Sequence, residues 1–190
     1  MRLFIALPLP TAARAAAALL QQRLRDAAGP GARVSWPDPT QLHLTLAFLG
    51  EQATAGPAEQ ALRAVAAARA RFDLVLSGLG VFPSPARPRV LWLGASAGAA
   101  ELEALAASLR AALQEGGLSP EKKPFHGHVT LGRVKPGGDR AARGALVVLK
   151  SQDQEPIAVP VEALVLVESR LKPGGAQHTE LARAALGGAA

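Results

Sequence analysis

The sequence predicts an α+β fold built on antiparallel strands. Two observations carry that reading. Short alternating apolar runs are interspersed with amphipathic runs of helical period along the whole chain. Several strand runs also follow one another too closely for the crossovers that a parallel sheet requires. A third observation concerns organisation: the stretch His-x-Thr-Leu occurs twice, as "HLTL" at 43–46 and "HVTL" at 128–131. The first copy sits in the order strand, helix, motif strand, helix. The second sits in the order helix, motif strand, helix, strand. Two related lobes, each contributing one motif, are therefore expected within a single domain spanning residues 1–190.

The elements follow in order. "RLFIAL" (2–7) opens as a short buried strand. "PTAARAAAALLQQRLRDAAGPG" (10–31) carries helix signals at both ends, with Thr11 as N-cap and Gly29-Pro30 as the stop. "QLHLTLAFLG" (41–50) alternates as a strand. "GPAEQALRAVAAARAR" (56–71) begins a helix near Pro57, with Leu62 and Val65 on one face. "FDLVLSGLGVFP" and "PRVLWLGAS" are strands joined through the Pro-rich "FPSPARP", a loop or hairpin connection. "AAELEALAASLRAALQEGG" aligns Leu102, Leu105, Leu109 and Leu113 in a helical stripe and stops at Gly116-Gly117. "FHGHVTLGRV" is a strand, "GDRAARGALVVLK" a helix, and "IAVPVEALVLVESRL" one or two strands. "HTELARAAL" fits either a sheet edge or a short last helix.

Composition narrows the function classes. A chain of 190 residues that is 49% hydrophobic has the material for a real core. There is no cysteine, which excludes disulfides and thiolate metal sites. The apolar opening "MRLFIALPLP" is cut short by Pro8 and Pro10, and no run has the length of a membrane span. A cytoplasmic, monomeric protein with no membrane contact is expected. The net charge of +6 rests mostly on arginine. It fits a solvated surface or an anionic partner, and the planar guanidinium suits phosphate in particular.

The doubled stretch carries the chemistry. Alternation along a strand points His43 and Thr45 one way and Leu42, Leu44 and Leu46 the other. His128 and Thr130 likewise share a face, opposite Val129 and Leu131. With four histidines and six threonines in the chain, two His-x-Thr coincidences arise by chance in roughly half a percent of such sequences. Near neutrality one imidazole accepts a proton while another donates one. Two histidines facing each other across a cleft thus suit in-line displacement at phosphorus, with the threonine hydroxyls on the non-bridging oxygens.

The segments "RLFIALPLP", "QLHLTLAFLGE", "GLGVFPSPARPRVLWLG", "KPFHGHVTLGRVK" and "LVESRLKPGGAQHTEL" occur in that order over nearly the whole chain. In this it resembles the two-histidine (2H) phosphoesterase superfamily, and within it the RNA 2',3'-cyclic phosphodiesterases, historically called 2'-5' RNA ligases. The resemblance implies a bilobal fold with a pseudo-twofold axis, two antiparallel sheets lining a central cleft and helices outside. It implies hydrolysis of RNA 2',3'-cyclic phosphate ends to 2'-phosphomonoesters, with joining or cleavage of 2'-5' linkages as a related activity. It implies no cofactor and no metal. By motif position His43 is the proton donor, His128 the proton acceptor, and Thr45 and Thr130 the phosphate ligands.

Other residues are open at this level. Arg133 matches a basic position common in the family, but strict alternation sends it to the core face with Leu131. It reaches the site only if the strand twists or ends near Gly132. His126, two residues before His128, is an extra phosphate or base contact, or a residue of the cleft edge. His178 stands where relatives often carry an aromatic, and an imidazole also stacks on bases. Trp36, Phe48, Phe82 and Trp92 are stacking candidates or core residues. Two rival functions stand beside the main one. A metal-dependent phosphoesterase would use His43, His126 and His128 as ligands. A non-catalytic RNA-binding protein would need only the basic surface.

Overall fold

The computed structural model describes residues 1–173 and 175–187. Among these, nine strands and four helices make an α+β fold with an antiparallel sheet. In chain order they are β1 (Arg2–Pro8), α1 (Thr11–Ala28), β2 (Val34–Ser35), β3 (His43–Glu51), α2 (Gly56–Ala67), β4 (Phe72–Ser84), β5 (Arg87–Ala95), α3 (Ala99–Glu115), β6 (His128–Val134), α4 (Asp139–Lys150), β7 (Ile157–Val161), β8 (Ala163–Lys172) and β9 (Gly175–Ala185). A single 3-10 turn at Pro39–Gln41 precedes β3. No described helix is long and apolar enough to cross a membrane.

Several elements left open in the sequence are resolved. "HTELARAAL" is strand, because it pairs along its length with β8 as the second arm of a hairpin. The Pro-rich "FPSPARP" is the tip of the β4–β5 hairpin. The run from Ile157 is two strands, β7 and β8. Thr11 is the first helical residue of α1 and makes no side-chain cap; Pro10 precedes it as N-cap and offers no side-chain acceptor. Gly29, at φ 79°, ends the helix as its sequence position predicts.

The strands lie in the order β7-β4-β5-β6-β3-β1-β8-β9, with β2 added beside β6. The family resemblance implies two separate sheets. Hydrogen bonding instead links all strands in one path, pinched at its middle to the single pair Leu44–Val129 between β3 and β6. The two motif strands thus meet at the narrowest point of the sheet. The halves of the chain do not divide between the halves of the sheet. β4 and β5 precede the second motif and lie on its side, whereas β8 and β9 return from the C-terminal end to extend β1.

The helices divide in the same crossed manner. α1 packs on α4 and reaches β6 and β7; α2 packs on α3 and reaches β8 and β9. The core is continuous between them. Leu3, Ile5 and Leu7 of β1, Leu44 and Leu46 of β3, and Val129 and Leu131 of β6 bury against helix residues that include Leu20, Leu62, Leu105 and Leu109. Full burial of such side chains contributes about 1.5–3 kcal/mol each. The opposite sheet face carries a small apolar cluster formed by Phe4, Ala6, Val165 and Val167. His43 and Thr45 stand on that open face while Leu44 and Leu46 anchor the strand beneath them.

Both motif strands carry a bulge at the same place. Across from β3, Ile5 pairs with Ala47 and Ala6 with Thr45, so Leu46 is the extra residue. Across from β6, Leu91 pairs with Gly132 and Trp92 with Thr130, so Leu131 is extra. In each case it is the leucine of His-x-Thr-Leu. A bulge shifts the alternation by one, so the residue five places after each histidine returns to the histidine's face. That residue is Phe48 in β3 and Arg133 in β6. Gly132 contributes the close approach the bulge needs, because a Cβ there would meet the Trp36 ring and the Val34 side chain at 3.0 Å.

The second bulge is held from below. Gln21 of α1 is buried, and its amide donates to the carbonyl of Leu131 at 2.9 Å and to that of Pro37 at 3.0 Å. Replacing it with leucine leaves two acceptors in an apolar layer. Gln21→Leu is expected to lower stability by about 1–3 kcal/mol, as read by the shift in urea midpoint at unchanged slope.

Candidate active site

The open face at the pinch forms one cavity of about 710 Å³. Thr45 and His43 enter it from β3, and His128, Thr130 and Arg133 from β6. The strip Ser35–Asp38 walls one side, and Lys172 and His178 of the β8–β9 hairpin overhang it. The structure therefore brings together both histidines and both threonines singled out by the repeat, with Arg133 beside them.

The two imidazoles are held alike. His43 Nδ1 lies 2.7 Å from the carbonyl oxygen of Gln41. His128 Nδ1 lies 2.6 Å from that of His126. A carbonyl only accepts, so Nδ1 carries the hydrogen in both rings. Each neutral ring then presents a bare Nε2 lone pair. Each acceptor is the residue two before its histidine, so the same local backbone geometry orients both.

Aromatic packing fixes the rings further. Phe4 stacks on His43 with centroids 4.8 Å apart and planes at 24°. His178 meets His43 edge-on at 5.1 Å, and its backbone N–H donates to Gln41 Oε1 at 2.8 Å. Gln41 thus ties the 3-10 turn, the His43 ring and β9 together. On the other side Phe82 meets His128 edge-on at 5.1 Å, with Trp92 at 6.2 Å.

Electrostatics favour neutral rings in the free protein. Burial pushes the His43 imidazole down to about 4, against the opposing pull of the Gln41 carbonyl; His178, Arg133 and His128 add repulsion. His128 is also lowered, again first by burial, and then by the His126 ring and Arg133. Burial and Arg133 lower His178. One guanidinium therefore acts on three imidazoles. Burial and the neighbouring Arg2 hold Arg133 below its own usual value.

Arg133 reaches the site because of the bulge, which answers the condition the sequence left open. His126 does not line the cavity. Its ring packs edge-on against Trp92 at 4.8 Å and Phe82 at 5.3 Å. Its backbone carbonyl holds the His128 ring through Nδ1. Among the described residues no three His, Asp or Glu side chains are gathered as metal ligands, so His43, His126 and His128 do not form a ligand set. Of the stacking candidates, Trp36 lines the cavity; Phe48, Phe82 and Trp92 do not.

Comparison with known proteins bears on the same arrangement. Residues 9–173 match the model of the 2'-5' RNA ligase superfamily. The chain belongs to that superfamily. It is 38% identical over 155 residues to an RNA 2',3'-cyclic phosphodiesterase of Aeropyrum pernix, covering 80% of this chain and 87% of the relative. It is 38% identical over 204 residues to the protein of that name from Thermus thermophilus, covering 99% and 91%. Among solved structures it is similar to TT0787 of Thermus thermophilus, with a TM-score of 0.78, 33% identity and 99% of each chain covered. It is also similar to E. coli LigT complexed with 3'-AMP, with a TM-score of 0.70, 30% identity and 97% of each chain covered.

For this member of the 2'-5' RNA ligase superfamily, sequence reasoning missed Gln41, Phe4 and Gln21. Phe4 reads as core because it lies in an apolar run. Gln41 acts through both its main chain and its amide, and only the repeat of the His-minus-two geometry hints at its place. Gln21 is the one signal that was available: an amide at a core position of a helix stripe needs a partner.

Proposed function

We propose that this protein hydrolyses the 2',3'-cyclic phosphate ends of RNA to 2'-phosphomonoesters by metal-free acid–base catalysis, with His43 as acid and His128 as base. The observation that supports this most is the matched pair of imidazoles. Each is locked through Nδ1 to a carbonyl, and each presents Nε2 to one cavity that also holds two hydroxyls and a guanidinium. The chain acts as a single bilobal domain over 1–190, a monomer, with the two halves of the sheet on either side of the Leu44–Val129 pair as pseudo-twofold lobes around a cleft. The names of its relatives agree with this activity.

The step balances without a cofactor. Water attacks phosphorus in line with the P–O3' bond, and His128 Nε2 takes its proton. The P–O3' bond breaks, and O3' takes a proton from His43 Nε2. The product carries a 2'-phosphate and a free 3'-hydroxyl. Thr45, Thr130 and Arg133 hold the non-bridging oxygens. The same alignment serves the making or breaking of a 2'-5' linkage at that phosphorus. In the free protein His43 is too weakly basic to be protonated at neutral pH. The bound phosphate brings the negative charge that stabilises its imidazolium. That imidazolium, facing O3', donates its proton to the departing alkoxide. His128, kept neutral first by its burial, suits the base.

The test is a short RNA ending in a 2',3'-cyclic phosphate. A cyclic end resists phosphatase, and an opened end is released by it. The protein is expected to convert the end from resistant to sensitive; a tightly bound RNA whose end stays resistant would instead identify a binder. Thr45→Val and Thr130→Val keep the side-chain shape and remove the hydroxyl. Each is expected to lose about 1–3 kcal/mol of transition-state stabilisation in kcat/KM with little change in stability. Wild-type rates in both variants would remove the threonines from phosphate binding.

A further inference from the structure

Leu131 sits where β6 has no strand partner on either side. Among the described residues, β3 pairs with β6 only at Val129, and β2 joins it only at Arg133 and Val134. On the other side, β5 passes from Gly132 to Thr130 and leaves Leu131 out of the ladder. A buried carbonyl at such a step needs a donor from outside the sheet. Gln21 of α1 is that donor. Two carbonyls face its amide, so the nitrogen lies on their side. Each of its two hydrogens then has one acceptor, Leu131 at 2.9 Å and Pro37 at 3.0 Å.

Both acceptors border the cavity's cation. Arg133 follows Leu131 by two residues, and the bulge is what turns its guanidinium into the cavity. Its main chain is fixed between Ser35 of β2 and Val90 of β5. Pro37 belongs to the strip Ser35–Asp38 that walls the same cavity. The Trp36 ring of that strip lies against Gly132. One amide thus clamps the bulge to the wall, with Arg133 between them. Gln21 itself is 4% exposed and does not line the cavity. An apolar side chain of its size would serve packing equally well, so what the glutamine adds is the pair of hydrogen bonds.

We infer that Gln21 is a positioning residue of the site, holding the Leu131 bulge and, through it, the placement of the Arg133 guanidinium. The inference deepens the reading under Proposed function, on which it rests for the role of Arg133 at the phosphate. Gln21→Met keeps the volume and removes both donors. Gln21→Asn keeps a buried amide but draws it back by one carbon, and serves if the methionine variant does not fold. In either variant kcat/KM on a cyclic-ended RNA is expected to fall on the order of 10- to 100-fold, the scale of a group misplaced by about 1 Å. In an Arg133→Ala background the same change should cost less than about twofold, because the two residues act as one unit. A second readout needs no turnover. The His178 ring is lowered by burial and then by Arg133, so withdrawal of the guanidinium raises its pKa. Its imidazole resonances should titrate at higher pH in Gln21→Met than in the wild type, as they should in Arg133→Ala. Losses that simply add in the double variant, or a His178 titration that moves in Arg133→Ala but not in the Gln21 variants, overturn the inference. If wild-type protein leaves the cyclic end closed, the parent reading falls, and the His178 titration still decides whether Gln21 places Arg133.

Discussion

Replacing either motif histidine with alanine is expected to lower kcat by roughly 10²–10⁴-fold, the usual worth of a positioned general acid or base. The rings are held by carbonyls and aromatic neighbours at their backs, so truncation removes the Nε2 chemistry and leaves the sheet in place. The two variants separate when the leaving group is changed. A substrate with sulfur in place of the bridging 3'-oxygen leaves as a thiolate and needs no protonation. His43→Ala should recover much of its rate on that substrate. His128→Ala should not, because water activation is still missing. Equal rescue of both would reverse or dissolve the assigned roles.

Stability is expected to fall steeply as the solution becomes mildly acidic, and His43 is the reason. Its pKa is about 4 in the folded chain and near 6.5 when unfolded. Above pH 6.5 both states hold a neutral ring and nothing is lost. Between 6.5 and about 4 the unfolded chain takes up a proton that the folded one refuses, so stability decreases as pH drops. Below about 4 the folded ring also protonates and the loss levels off. A shift of this size corresponds to about 3 kcal/mol. His128 and His178, lowered in the same direction, add to it. His43→Gln keeps a polar side chain in place and removes the titration. Urea denaturation at pH 7 and pH 4.5 should show a much smaller drop in the variant than in the wild type. An equal drop in both would place the acid sensitivity elsewhere.

The same burial shapes catalysis. In the proposed reaction the free enzyme must hold His43 protonated, although burial keeps that ring neutral at pH 7. The kcat/KM profile is then expected to be a low bell on the acid side of neutrality, its limbs belonging to the pair. Bound phosphate raises the acid's pKa, so the alkaline limb of kcat should lie at higher pH than that of kcat/KM. Superimposed profiles would contradict that role for the phosphate.

Much of the site was legible in the sequence because a two-residue period and a repeated stretch suffice to place His43, Thr45, His128 and Thr130 on one kind of surface. The leucines between them read as core and are core. Arg133 was not legible in the same way. Its position depends on a bulge at Leu131, and a bulge is a property of the pairing with β5 and of the Gln21 amide beneath it. Neither is visible in a window around the motif. The joining of the expected two sheets into one path was hidden for a similar reason, since it rests on one long-range pair, Leu44–Val129. The fate of "HTELARAAL" was likewise decided by its hairpin partner β8. Local pattern alone left strand and helix equally open.

In the proposed reaction two histidines, with no metal, open a cyclic phosphate by expelling its 3'-oxygen. The most direct test is to incubate the protein with a 2',3'-cyclic phosphate-ended RNA in excess chelator and to identify the product isomer. Undiminished turnover and a 2'-phosphate are expected. Turnover that stops with chelator and returns with a divalent cation, or a product that is purely the 3'-phosphate, would contradict the proposal.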